Sequence, residues 1–195
     1  APGGTTCGIA TYTANLIKHF PDDKECSHSL LPIPPKSELA GLSEKEMFLW
    51  AQEIIDSCEG YDFIHLQNEF GLFQGPGDMP FALEIFLKIL KGLVSRNHKI
   101  AVTFHSEPMF LKALGALNFE NKKCAKVWKK TAKLFTKQNN CIAILHSAVS
   151  ESIFKETGFQ NTTIMAHGVI ERAFDKRRQL KRSGDSIVLS LFGYI

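Results

Sequence analysis

Four apolar stretches each run into a histidine: Phe63-Ile64-His65, Val102-Thr103-Phe104-His105, Ile144-Leu145-His146 and Met165-Ala166-His167. Imidazole can donate or accept a hydrogen bond, carry a proton near neutral pH, or ligate a metal. Small and polar residues flank these rings, namely Gln67, Asn68 and Glu69, Ser106 and Glu107, Ser147, and Gly168. Such a rim suits the many hydroxyl contacts a sugar needs. It also suits metal ligation through His65, Glu69, His105, His146 and His167, although His65-x-x-x-Glu69 matches no standard zinc spacing. One histidine at a strand end is ordinarily structural. Four of the 7 in the chain at equivalent positions argue for a shared site.

Two further features bear on chemistry. The chain opens on Ala1-Pro2-Gly3-Gly4-Thr5-Thr6-Cys7-Gly8, a glycine-rich loop ahead of a helical pattern over Ile9 to His19. Glycines allow close backbone approach, and the free N–H groups of the following helix favour an anion, so Gly4 and Gly8 form a candidate diphosphate site. The loop is neither a GxGxxG fingerprint nor a P-loop. Lys122, Lys123, Lys126, Lys129, Lys130, Lys133 and Lys137 stand on one predicted helix, with no acidic residue from Asn121 to Ser150. Its inward face is Val127, Trp128, Thr131, Leu134 and Phe135. The lysines form either a solvated face or a surface for anionic lipid headgroups. The aromatic interleaving of single-strand nucleic-acid platforms is absent, so no nucleic-acid partner is expected.

The elements that must position these groups alternate along the chain. Short strands are expected at Ser29 to Ile33, Tyr61 to Leu66, Lys99 to Phe104, Cys141 to Leu145 and Thr162 to Ala166. Helices are expected from the Ser43 capping box to about Cys58, from Met79 to Arg96, after Pro108, from Asn121 to Gln138, and from Ser150 to Thr157. This order predicts an α/β, Rossmann-like, mostly parallel sheet with helices on both faces, and a ligand outside the carboxyl ends of the strands. The charged stretch Glu171 to Gly184 reads as an interdomain connection, and Ser186 to Phe192 as the start of a further strand.

The chain has 195 residues, 44% hydrophobic and 22% charged, with a net charge of +3. That suits one sizeable α/β domain with at most a piece of another, and excludes disordered and fibrous classes. Cys7, Cys26, Cys58, Cys124 and Cys141 are odd in number and lack CxxC spacing, which favours reduced thiols and a cytoplasmic setting. No signal segment and no membrane-length apolar run occurs in the sequence.

The segment Cys7-Gly8-Ile9-Ala10-Thr11-Tyr12-Thr13 with Asn15-Leu16 resembles the first loop and helix of the retaining glycosyltransferases of family four. So do Ile64-His65-Leu66-Gln67-Asn68-Glu69-Phe70-Gly71-Leu72-Phe73, Val102-Thr103-Phe104-His105-Ser106, His146-Ser147 and His167-Gly168-Val169. Leu189-Ser190-Leu191-Phe192-Gly193-Tyr194-Ile195 is similar to the first strand of that family's donor domain.

The resemblance implies the N-terminal half of a GT-B fold. Residues 1–184 would form the acceptor-side domain, connected from about 171, and residues 185–195 the first strand of a truncated donor domain. It implies hexosyl transfer from a nucleotide-diphosphate sugar to a saccharide or lipid-linked acceptor with retention, without metal or other cofactor. Peripheral membrane contact would run through the Lys122–Lys137 helix. In this scheme His105 is catalytic, positioning the donor sugar and stabilising developing charge. Gly4, Gly8 and Gly168 face the diphosphate, while His65, Gln67, Glu69, Ser106, His146, Ser147 and His167 face the acceptor or sugar. The family carries a strand ahead of the glycine loop and paired glutamates in the donor domain, and neither falls within this sequence. The chain is therefore expected to be a fragment, unable to transfer sugar alone. The residues by themselves also allow a metal-dependent hydrolase, or a non-catalytic sugar- or partner-binding module.

Overall fold

The computed structural model describes residues 8–18, 28–34, 36–108 and 122–166. In chain order the elements are α1 (Gly8–Lys18), α2 (Lys36–Leu39), α3 (Glu44–Ser57), β1 (Phe63–Asn68), α4 (Met79–Ser95) and β2 (Lys99–Phe104). They continue as α5 (Lys122–Lys137), β3 (Cys141–Leu145), α6 (Ala148–Glu156) and β4 (Thr162–Ile164).

Local sequence explains the boundaries. Ser43 starts α3 through the expected capping box: its Oγ accepts from Glu46 N–H at 3.3 Å, and the Glu46 carboxylate accepts from Ser43 N–H at 2.7 Å. Gly60, with φ 84°, turns the chain away after α3. Asp78 caps α4 by accepting from Phe81 N–H at 3.0 Å, with Pro80 in the first turn, where its missing N–H costs nothing.

The strands form one all-parallel sheet in the order β1-β2-β3-β4. The fold is therefore α/β and Rossmann-like, as the alternation predicts. Sequential parallel strands joined by right-handed crossovers place their connecting helices on a common face. Phe104 marks that face. Its ring meets Phe86 of α4, Trp128 and Phe135 of α5, and Phe154 of α6. Alternation along the strands sends His65, Gln67, Ala101 and Thr103 to the opposite face. Ala101 and Thr103 are buried there too, so the centre of the sheet is covered on both sides. Helices α3 and α4 touch so closely at Gly92 that a Cβ there would collide with the Ile55 side chain.

Three sequence expectations differ from the structure. The strand expected at Thr162 to Ala166 ends at Ile164, where its pairing with Leu145 stops, so β4 does not run up to position 167. Residues 28–34 form no strand. Pro32 and Pro34 bring no N–H to a ladder, and Leu30 and Leu31 are exposed rather than packed. β1 runs from Phe63 to Asn68, two residues later than the apolar run suggests, because Gln67 and Asn68 continue the pairing with Thr103 and Phe104. Composition alone does not predict that two polar residues extend a strand. The helix expected after Pro108, the charged connection and the strand of the donor domain lie largely or wholly outside the described residues. Among the described residues, no helix is long and apolar enough to cross a membrane.

Candidate functional site

β2 ends at Phe104 and β3 at Leu145, so His105 and His146 are the first residues beyond two adjacent parallel strands. Their ring centroids lie 5.4 Å apart. Tyr12 of α1 stands edge-on to both, at 5.1 Å from His105 and 6.0 Å from His146. Tyr12 follows Gly8 by four residues, so the start of α1 is about one helical turn from this cluster. The amino-terminal end of α1 and the strand-end imidazoles thus occupy one corner of the domain.

Each ring is held by the strand beside it. His105 N–H donates to the Asn68 carbonyl at 3.0 Å, tying the ends of β1 and β2 together. Its Nε2 donates to Gln67 Oε1 at 2.7 Å. His146 Nδ1 donates to the Met165 carbonyl at 2.9 Å, which places the proton of the neutral ring on Nδ1. Burial raises the Tyr12 phenol above its ordinary value, so it stays protonated at neutral pH.

His65 does not end its strand. Three further residues of β1 follow it, so it sits deeper in the sheet than His105 and His146. It joins the site through Gln67, whose Nε2 lies 3.2 Å from His65 Nε2, and it approaches Thr103 Oγ1 at 2.8 Å. Burial holds its pKa below the ordinary histidine value, so the ring is neutral at pH 7.

Two carboxylates border the rings. Glu69 accepts from the Ser106 hydroxyl, linking the segments after β1 and β2. Glu107 accepts from Ser150, whose Oγ receives the Ser147 hydroxyl at 2.7 Å. Ser147 in turn caps α6 by accepting from Ser150 N–H at 3.0 Å. Sequence reasoning placed Ser147 in a sugar rim. The structure shows it committed at least in part to starting a helix.

The structure therefore brings together His105, His146, Gln67, Glu69 and Ser106, with His65 behind them and Gly8 one turn from Tyr12. Gly4, His167 and Gly168 lie outside the described residues. No group of three or more His, Cys, Asp or Glu side chains among the described residues is arranged to hold a metal ion. Tyr12, Thr103 and Ser150 were not assigned roles from sequence. Of these only Thr103 carried a signal, because strand alternation and parallel register put it beside Gln67.

Comparison with known proteins returns no matching family model, no matching curated protein and no matching solved structure. Function must then be read from the site itself, whose chemistry is a ring cluster with hydrogen-bonding carboxylates at the carboxyl edge of a parallel sheet.

The lysine helix has the predicted faces. All seven lysines of α5 are exposed, while Cys124, Val127, Trp128, Thr131, Ala132 and Phe135 are buried. A surface groove between α3, α4 and α5 adds Lys88 and Lys91 beside Lys130, which broadens the basic surface beyond α5. Glu84 lines the same groove and lies 3.6 Å from Lys123.

Proposed function

We propose that this chain is the acceptor-side half of a retaining glycosyltransferase of the GT-B type, which transfers a hexosyl group from a nucleotide-diphosphate sugar to a saccharide or lipid-linked acceptor. The observation that carries the reading is the meeting of Tyr12, His105 and His146 at the carboxyl edge of β2 and β3, one turn from the start of α1. Ligands of parallel α/β sheets bind at that edge. A helix start there favours the diphosphate, and aromatic edges with carboxylates favour a polyhydroxylated ring.

In this scheme Gly4, Gly8 and Gly168 are the residues assigned to the donor diphosphate. His105 bears on the sugar near its reacting carbon and stabilises charge that develops as the glycosidic bond breaks. The leaving diphosphate helps to deprotonate the acceptor hydroxyl. His146, Gln67, Glu69 and Ser106 orient hydroxyl groups. His105→Ala in the intact transferase tests the reading, and an unaltered transfer rate removes the role assigned to this ring.

The basic surface fits a peripheral contact with anionic lipid, which would bring the site to a lipid-linked acceptor. The expected result is retention on vesicles of phosphatidylcholine mixed with phosphatidylserine, and none on phosphatidylcholine alone. Changing Lys126, Lys129, Lys130 and Lys133 together to glutamine should weaken that binding roughly 10²–10³-fold. Co-sedimentation measures it. Equal binding by the quadruple variant would show that the contact does not run through α5.

A further inference from the structure

Behind the strand-end rings lies a polar row that hydrophobic patterning does not require. Parallel register sets Gln67 of β1 opposite Thr103 of β2, with His65 two residues earlier on the same face. Thr103 is fully buried, so its hydroxyl needs a partner, and it finds His65 Nε2 at 2.8 Å. The same nitrogen meets Gln67 Nε2 at 3.2 Å.

The Gln67 carboxamide turns its nitrogen to His65 and its oxygen to His105, and with that orientation donor and acceptor rules give this row one direction. A carboxamide nitrogen only donates, so His65 Nε2 must carry the lone pair and the proton sits on Nδ1. The Thr103 hydroxyl donates to the same lone-pair nitrogen. A carboxamide oxygen only accepts, so the 2.7 Å contact with Gln67 Oε1 requires the His105 proton on Nε2. A neutral His65 fits this order, because a charged ring would set N–H against the N–H of Gln67. Tyr12 from α1 and His146 after β3 also stand against His105, with the Glu69–Ser106 pair at the same edge.

We infer that Thr103 and His65 are positioning residues for His105. They fix the Gln67 carboxamide with its oxygen toward His105, which locks the neutral ring with its proton on Nε2 and makes Nδ1 the hydrogen-bond acceptor. The tautomer follows from the orientation of the Gln67 carboxamide between the two rings. That Nδ1 receives a hydroxyl of the sugar rests on the glycosyltransferase reading.

The test is long-range proton–nitrogen NMR of the imidazoles in the 15N-labelled chain through a pH titration. The expected neutral forms are protonated on Nδ1 for His65 and on Nε2 for His105. Thr103→Val removes the hydroxyl at nearly constant shape and should move the His105 pattern toward that of an unconstrained imidazole; Thr103→Ser should restore it. Gln67→Glu sets a carboxylate against His105 Nε2 and should raise its titration midpoint by about 1–3 pH units. His65 protonated on Nε2 in the unaltered chain would overturn the inference, as would a His105 midpoint unmoved in Gln67→Glu. These two results decide the matter even where Thr103→Val fails to fold. No transfer assay enters, so an unaltered rate in His105→Ala would defeat the proposed function while leaving these spectra as expected.

Discussion

Replacing His105 by alanine is expected to lower the turnover of the intact transferase about 10²–10³-fold, the usual cost of removing one preorganised group that stabilises transition-state charge. The effect should fall on kcat more than on KM, because the proposed contact strengthens as the glycosidic bond breaks. The fold should survive. The ring follows β2 rather than lying within it, and is partly exposed, whereas the adjacent Phe104 carries the packing. Steady-state kinetics on the variant, with its circular dichroism unchanged, check both halves of this expectation. A variant that loses only substrate affinity would recast His105 as a binding residue.

Phe104→Ala is expected to produce the largest loss of stability. The ring is 3% exposed and contacts Phe70, Phe86, Trp128, Phe135, Phe154 and Phe159. Truncating a buried phenylalanine costs about 3–5 kcal/mol, through lost burial and the cavity left behind. Against a typical total of about 5–15 kcal/mol, that is a large share. Because these partners come from α4, α5, α6 and the turns beside β1 and β4, no single neighbour can move in to fill the space. Phe63→Ala, at a residue 51% exposed on the same sheet, should change stability by no more than about 0.5 kcal/mol. Denaturant midpoints for the two variants measure the contrast. Similar shifts would mean that the aromatic cluster does not hold the sheet to its helices.

Much of this arrangement was legible in the residues. Lys99 to Phe104 and Cys141 to Leu145 form strands with the expected limits, so the positions of His105 and His146 followed directly. The lysines of α5 declared their own exposed face. What failed did so where pairing, not composition, decides. Ser29 to Ile33 has strand-like apolar residues but one proline within it, another directly after it, and no ladder. Gln67 and Asn68 look like loop residues yet extend β1 because β2 is there to pair with them. Tyr12 could not be placed because nothing in a helix's own sequence says how it lies against a sheet edge. The tie from Ser150 to Glu107 joins residues 43 apart and depends on how α6 packs.

The most direct test of a sugar-diphosphate site at this edge is a titration of the intact protein, labelled with 15N-histidine, against a panel of nucleoside-diphosphate hexoses. His98 supplies an internal control. It precedes β2 at the amino end of the sheet, where its Nδ1 donates to the Tyr61 carbonyl at 2.8 Å. The expected result is saturable movement of the His105 and His146 resonances with at least one hexose donor, while His98 stays fixed. Saturable binding of a donor that leaves His105 and His146 in place, or moves His98 instead, would contradict the site.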